Sequence, residues 1–266
     1  MWHRAVIFLG AAIILVVSCL AAQPVLARPQ QLFRSLAVEH QLATAFQPND
    51  IASAYNFTPL YAQGLHGEGQ TIALLEVDGF NRGDIKTFSD TYHLPAISVQ
   101  EFYAGGVPFK TEHSGEAAMD IEWAHALAPA AAIQVYYLRN QGANSKGWQQ
   151  MGDLLRKVVG HGATIVSISL GTCRPTYGFT STSSAFADLA RASVGVFVSS
   201  GDSGAHPGPK RSCGSQIGVG YPAGDPSVVS VGGTSLSLTA GHEIERETAW
   251  RLSGGGRIAS LVRPQE

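Results

Sequence analysis

Two carboxylates four residues apart are the side chains of this sequence best placed to do chemistry. Glu116 and Asp120 lie in the mostly apolar segment 115–125, and a helix there would put both on one face. Two acids that close do not ionise independently, because like charge raises the pKa of one of them. Such a pair can hold a proton and release it, so the spacing indicates a general base that works in the acid range.

An acidic face in contact with water is the other interpretation of this pair. The predicted helix is otherwise apolar, however, with Ile121 and Trp123 close to Asp120, so we expect it to be buried. A buried carboxylate needs a partner. Glu76, at the end of a predicted strand, is one candidate.

A third acid, Asp202, follows a predicted strand and lies between Gly201 and Ser203. The same pattern is typical of a turn or a helix cap. As a site residue, Asp202 would be a carboxylic acid kept neutral, so that it donates a hydrogen bond to an oxyanion as negative charge develops there. That role also suits acidic pH.

Short apolar runs and helical segments alternate along the chain. Strands are predicted at Thr71–Leu75, Ile133–Leu138, Thr164–Ser169 and Val194–Ser199, and helices at Ser145–Val159 and Ser181–Ala192. This alternation predicts an α/β fold, a parallel sheet with helices on both faces. Ligands of such sheets bind beyond the carboxyl ends of the strands, where Glu76 and Asp202 are both expected.

The composition indicates a globular protein, and the N-terminal segment indicates export. Apolar residues make up 45% and charged residues 14% of the chain, and the net charge is −2, which gives no basic surface for nucleic acid or membranes. The apolar run Ala5–Leu20 predicts a signal peptide over residues 1–27, although a lipid anchor at Cys19 is an alternative. Residues 28–47 would form a short arm. In an oxidising compartment we expect Cys173 and Cys213 to pair, with two free thiols as the alternative.

Five spaced motifs occur in an order that resembles one known family. They are Gly115-Glu-x-x-x-Asp120-Ile-Glu-Trp-Ala-His-Ala-Leu-Ala-Pro129, Ile165-Val-Ser-Ile-Ser-Leu-Gly171, Ser200-Gly-Asp-Ser-Gly204, Tyr221-Pro-Ala223 and Val231-Gly-Gly-Thr-Ser235. Together they resemble the sedolisin family of serine-carboxyl peptidases, and Ile244-Glu-Arg-Glu-Thr-Ala-Trp250 resembles its kumamolisin-like branch. The likeness runs from about Pro48 to the C-terminus.

The resemblance implies a subtilisin-like fold and a role for each acid. Glu116 would be the general base toward a serine, Asp120 would orient Glu116, and Asp202 would be the oxyanion-hole acid. Glu76 would extend the acid network behind Asp120, although kumamolisin-like members carry a Trp in the place of Leu170. The backbone of a peptide or protein substrate would pair with the segment that contains Ser167, Ser169, Leu170 and Gly171.

The family's serine nucleophile and its calcium site both lie in segments well downstream of the loop Ser253–Gly256, and this sequence ends at Glu266. No serine is therefore assigned as the nucleophile, and no metal or cofactor is expected. Residues 28–47 are also too few for the family's N-terminal prodomain. We expect a C-terminally truncated peptidase domain over residues 48–266, monomeric and by itself inactive.

Two other functions stay open at this point. The chain could be a non-catalytic remnant or pseudoenzyme that binds peptides in the same cleft. It could also be a Ser-His-Asp hydrolase built from Asp78, His113 or His125, and Ser235. Against the latter, the alternation around Ser235, over residues 228–238, predicts a strand pair, whereas a nucleophile of this fold class should open a helix.

Overall fold

The computed structural model describes residues 6–10, 13–17, 45–108, 115–139, 145–173, 179–208, 213 and 216–256. Its strands are β1 Val6–Gly10, β2 Ile13–Val17, β3 Thr71–Glu76, β4 Val99–Tyr103, β5 Ala132–Tyr137, β6 Ile165–Ile168, β7 Gly195–Ser199, β8 Val229–Val231, β9 Gly233–Leu238 and β10 Ile244–Ala249. Its α-helices are α1 Pro48–Ala54, α2 Thr58–Tyr61, α3 Arg82–Thr91, α4 Glu116–Leu127, α5 Ser145–Gly160 and α6 Thr180–Arg191. A single 3₁₀ turn, Ala104–Gly106, follows β4 in the described part of the chain.

A six-stranded parallel sheet in the order β4-β5-β3-β6-β7-β8 forms the centre of the molecule. After β3 the chain builds β4 and β5 on one side, and then crosses to the other side for β6, β7 and β8. The order therefore reverses next to β3. In open α/β sheets the crevice at this switch point is where ligands bind, and Glu76 closes β3 at that point.

Helices cover both faces of the central sheet, as predicted. Helices α5 and α6 pack on one face, in the cluster that contains Leu155 and Phe186. Helix α4 packs on the other face through Ile121. The four residues Ile72–Leu75 of β3 are each at most 1% exposed, because a strand in the middle of a two-sided sheet meets apolar side chains above and below. The predicted α/β architecture is confirmed.

A second, antiparallel sheet has the order β10-β9-β1-β2. The strand pair expected over residues 228–238 exists as two strands, β8 and β9, but the two are not paired with each other. Strand β8 extends the central sheet and β9 pairs with β10 and β1. The chain changes sheets at Gly232, so the alternation of residues indicated strands correctly but could not indicate their partners. Strands β1 and β2 fall within the segment interpreted as a signal peptide, which stays a prediction.

Cys173 and Cys213 form a disulfide, with 5.2 Å between their Cα atoms, so the predicted pairing is confirmed. Within the described ranges, no helix has the length and apolarity that a membrane crossing requires. Cys19, the alternative lipid anchor, lies outside the described residues, as does most of the predicted arm.

Candidate active site

Helix α4 carries two of the predicted site residues into the interior. Its first residue is Glu116, and Gly115 before it has a φ of 88°, a left-handed conformation that glycine adopts without strain. Nine of the twelve residues of α4 are buried, Asp120 among them. The apolar composition of the helix therefore desolvates both carboxyl groups.

Asp120 receives a hydrogen bond from the segment that follows β6. Ser169 Oγ donates to Asp120 Oδ2 across 2.7 Å, and Asp120 itself is fully buried. Burial raises the pKa of Asp120, while the hydrogen bonds from Ser169 and Glu76 lower it in part. Ser169 thus fixes Asp120. Its expected contact with substrate stays a prediction.

Glu76 and Asp120 form a buried pair of carboxyl groups, 1% and 0% exposed. Among the described residues, neither Glu76 Oε1 nor Asp120 Oδ1 has a donor as a hydrogen-bond partner. Two carboxyl oxygens can bond to each other only when one carries a proton. Burial, followed by the charge of Asp120 and the hydrogen bond to it, raises the pKa of Glu76 well above its usual range. Burial also raises the pKa of Asp120, so the pair holds a proton at pH values where an exposed carboxyl group is ionised.

Glu116 lies at the half-buried end of the same network. Burial is the main cause that raises its pKa to about 7, and the neighbouring charges of Asp120, Asp202 and Asp78 add to it in that order. The helix N-terminus favours the ionised form, but the three nearby acids and the loss of water outweigh it. Glu116 can therefore exchange a proton in the acid to neutral range.

Asp202 lies in the loop after β7, close enough to Glu116 for its charge to raise the pKa of Glu116. Its side chain is largely exposed, but partial burial of the carboxyl still raises its pKa above the usual range. The structure thus brings Glu76, Glu116, Asp120 and Asp202 to the carboxyl edge of one sheet.

The loop that carries Asp202 is held by a second loop, residues 251–256. Gly254 N donates to Gly201 O at 2.6 Å, and Ser200 Oγ donates to Gly254 O at 2.8 Å. A Cβ atom on Gly254 would lie 1.9 Å from Ser200 O. Gly254 is therefore needed for the close approach of the two backbones.

The segment expected to pair with substrate continues from β6 along the same edge. Ser167 is buried inside the strand, Leu170 is partly buried and Gly171 is exposed. The next residue, Thr172, exchanges two backbone hydrogen bonds with Tyr221, at 2.9 and 3.0 Å. That bridge fixes the course of the segment beside the acids. Its pairing with a substrate backbone stays a prediction.

The serine and the described histidine of the Ser-His-Asp alternative lie in other parts of the fold. Ser235 lies inside β9, opposite Thr248 of β10, and opens no helix. His125 is buried near the other end of α4, about 13 Å along the helix from Glu116. A hydrogen bond of 2.9 Å joins His125 Nε2 to Pro95 O. His113 lies outside the described residues.

Asp78 belongs to the acid cluster, although the sequence suggested it only for the alternative triad. Its charge raises the pKa of both Glu76 and Glu116. The signal was available in the sequence, because Asp78 stands two residues after Glu76 where a strand reaches the functional edge. Among the described residues, no group of three or more His, Cys, Asp or Glu side chains is arranged to hold a metal ion.

Comparison with known proteins gives two sequence relatives. The chain is 35% identical over 240 residues to kumamolisin from Bacillus sp. (strain MN-32), a match that covers 84% of this chain and 42% of that protein. It is 26% identical over 204 residues to sedolisin from Pseudomonas sp. (strain 101), with 71% and 34% covered. The chain thus spans less than half the length of either relative. No family model matches it.

Pseudomonas sedolisin is among the solved structures that share the fold. In that structure this serine-carboxyl proteinase is complexed with two molecules of pseudo-iodotyrostatin. The TM-score is 0.62 at 20% identity, with 78% of this chain and 61% of that chain covered. The match supports the subtilisin-like arrangement of the central sheet.

Proposed function

The chain belongs to the sedolisin family of serine-carboxyl peptidases, on its kumamolisin-like branch, and we propose that it provides the carboxyl groups of an acid-acting endopeptidase site. One observation carries the proposal. A buried, proton-sharing pair, Glu76 and Asp120, lies directly behind Glu116, whose pKa is raised to about 7. A solvated acidic surface would not require this arrangement.

In the proposed mechanism Glu116 is the general base. It takes the proton of a serine hydroxyl as the serine oxygen attacks the carbonyl carbon of a peptide bond, and it later gives that proton to the leaving amine. Asp120 orients Glu116 and is itself fixed by Ser169 and Glu76. Asp202, in its protonated form, donates a hydrogen bond to the oxyanion.

The pH range of the proposed activity follows from two opposite requirements on the protonation of Glu116 and Asp202. Glu116 must be ionised to act as a base, which favours pH values toward 7. Asp202 must be protonated to donate, which favours pH values below its own pKa, which partial burial also raises. The product of the two fractions is greatest between the two pKa values, so the proposed activity is confined to acid.

The proposed substrate is an extended peptide or unfolded protein whose backbone pairs with the Ser169–Gly171 segment.

Export is also part of the proposal, supported by the Cys173–Cys213 disulfide and by the apolar N-terminal run. The nucleophile is not assigned to a residue of this chain. A peptide-binding protein without activity is the second candidate.

The test joins the chain to the serine-bearing C-terminal part of kumamolisin and measures cleavage of denatured protein from acid to neutral pH. We expect cleavage in acid that Glu116→Gln abolishes. Glu122→Gln is the matched control, because Glu122 lies on the same helix and its pKa is also raised to about 7, by burial and by Asp84. Cleavage that survives Glu116→Gln, or that peaks at neutral pH, would contradict the proposal. Peptide binding without cleavage would favour the second candidate.

A further inference from the structure

One row of side chains crosses the central sheet beside Glu76. The strand registers align Tyr103 of β4 with Tyr137 of β5, and Tyr137 with Glu76 of β3. Register partners in a parallel sheet point to the same face. This face is the one covered by α4, since Tyr137 packs in the same cluster as Ile121.

Tyr137 lies between the carboxyl groups of Glu101 and Glu76, and these two groups have different partners. On one side lies Glu101, which accepts a hydrogen bond of 3.0 Å from Tyr103 Oη and pairs with Arg82, a side chain that is 63% exposed. On the other side lies Glu76, whose partner is another carboxyl group. Tyr137 itself is 1% exposed, and its ring stacks on that of Tyr103 with 4.8 Å between centroids.

The two ends of the Tyr137 side chain face different groups. Burial raises the pKa of the Tyr137 hydroxyl, and the charge of Glu101 is the next cause, whereas the charge of Glu76 contributes least. The strand register puts Tyr137 beside Glu76, and a hydrogen bond with Glu101 directs the Tyr137 hydroxyl toward Glu101. An aromatic ring excludes water and offers little to a charged carboxylate, so it favours the neutral carboxylic acid.

We propose that Tyr137 is a positioning residue of the acid network, whose ring keeps water and the Arg82–Glu101 pair away from Glu76 and so leaves the Glu76 proton on its hydrogen bond to Asp120. The Tyr103–Tyr137 stack excludes water from this side of Glu76, whose side chain is 1% exposed.

Asp120 depends on the protonation of Glu76. If water reached Glu76, the carboxyl would ionise at lower pH, and Asp120 would lose a hydrogen-bond donor and gain a negative neighbour. The titratable groups that face Glu76 are Asp78 beyond the end of its own strand, Glu116 and Asp120 on α4, and Tyr137 on β5. All of them are acids or a phenol, so within the described part of the chain none of these groups compensates an ionised Glu76 with positive charge. The catalytic meaning of this inference rests on the proposed peptidase function, but its test does not.

The test is infrared titration of the purified chain, which follows the carbonyl stretch of protonated carboxyl groups. The band that Glu76→Gln removes belongs to Glu76. We expect Tyr137→Ser to lower the pKa of Glu76 by about 1 unit or more, because water replaces the ring. We expect Tyr137→Phe to leave the band unchanged, since it removes the hydroxyl and keeps the ring.

Tyr136→Ser is the matched control. Tyr136 is equally buried on the same strand, but it faces α5 and α6 and bonds Gln134 and His161. An unchanged Glu76 titration in Tyr137→Ser, an equal shift in Tyr136→Ser, or a shift in Tyr137→Phe would each overturn the inference. Should Tyr137→Ser fail to fold, Tyr137→Asn takes its place, because it also removes the ring and lets water reach Glu76, while it fills more of the space than serine. None of these results depends on peptide cleavage, so the inference and the peptidase proposal can fail separately.

Discussion

Two sides of the acid site are held in place by different physics. On the helix side, Glu76, Glu116 and Asp120 are fixed by burial, by Ser169 and by a shared proton. On the loop side, Asp202 is carried by the loop 200–204, which backbone hydrogen bonds attach to residues 251–256. The position of the helix side therefore depends on pH, whereas that of the loop side depends on steric fit. An acid-acting site needs both, since a base and an oxyanion donor must meet in one protonation state.

The largest effect is expected from a methyl group on the loop side. In Gly254→Ala the new Cβ would lie 1.9 Å from Ser200 O, so the two loops must separate, and we expect a loss of about 3 kcal/mol or more in the free energy of unfolding. Gly255→Ala is the control, because a Cβ there meets nothing within 4 Å and should change stability by about 0.5 kcal/mol or less. Urea unfolding at one pH measures both. Equal losses would show that close approach does not hold this loop.

The contribution of the helix side to the free energy of unfolding should depend on pH. The pKa of Glu116 is about 7 in the folded chain against an ordinary value of 4.5, and the pKa of Glu76 is also raised from 4.5. Between pH 4.5 and 7 the folded chain thus binds more protons than the unfolded chain, and the free energy of unfolding falls as pH rises. The slope is at most about 1.4 kcal/mol per pH unit for each such group.

Amide variants show which groups cause that slope. Glu76→Gln and Glu116→Gln should each flatten the pH dependence of urea unfolding over this window, because an amide does not titrate. Glu245→Gln, on the exposed face of β10, should leave it unchanged. His125 acts in the opposite sense, since burial lowers its pKa and stability is lost as pH falls through 6.5 and below. Stability that rises steadily from pH 4.5 to 7 would contradict the proton-sharing arrangement.

The helix side was also the more predictable of the two. The spacing of Glu116 and Asp120 and the apolar surroundings of that helix were visible in the sequence, because a helix turns an i, i+4 pattern into a shared face. Glu76 and Asp202 followed from the rule that strands present ligand-binding residues at their carboxyl ends. The Tyr137 row could not be predicted, since it depends on the register of three strands that are distant in sequence.

Two features of the fold escaped prediction for physical reasons. Strand β4 is an edge strand with mixed exposure, so its sequence, Val-Gln-Glu-Phe-Tyr, lacks the continuous apolar run of a central strand. The packing of residues 251–256 on the Asp202 loop was hidden because glycine is common both in flexible loops and where backbones approach closely. Only the three-dimensional contacts distinguish these two uses.

A smaller effect is expected from the hydroxyl of Ser169, which links the segment after β6 to Asp120 on helix α4. Ser169→Ala removes the 2.7 Å hydrogen bond to Asp120 Oδ2, which should raise the pKa of Asp120 further and cost about 1–3 kcal/mol at neutral pH. The cost should shrink in acid, where Asp120 is protonated. Ser235→Ala on β9 is the control, and urea unfolding at both pH values separates the two variants. A cost that is the same at both pH values would mean that Ser169 does not act through the charge of Asp120.

The smallest effect concerns two glutamates of helix α4 whose pKa values are raised by different neighbouring charges. Asp78 is the last of the charges that raise the pKa of Glu116, and Asp84 is the neighbour that raises the pKa of Glu122. Asp78→Asn should therefore lower the pKa of Glu116 by less than about 1 unit and leave Glu122 unchanged, while Asp84→Asn should do the reverse. Carbon-detected NMR titration of the two carboxyl groups measures both shifts in each variant. If either substitution moved both glutamates equally, the charges would act across the whole helix, and the acid site would not be electrostatically separate from the rest of α4.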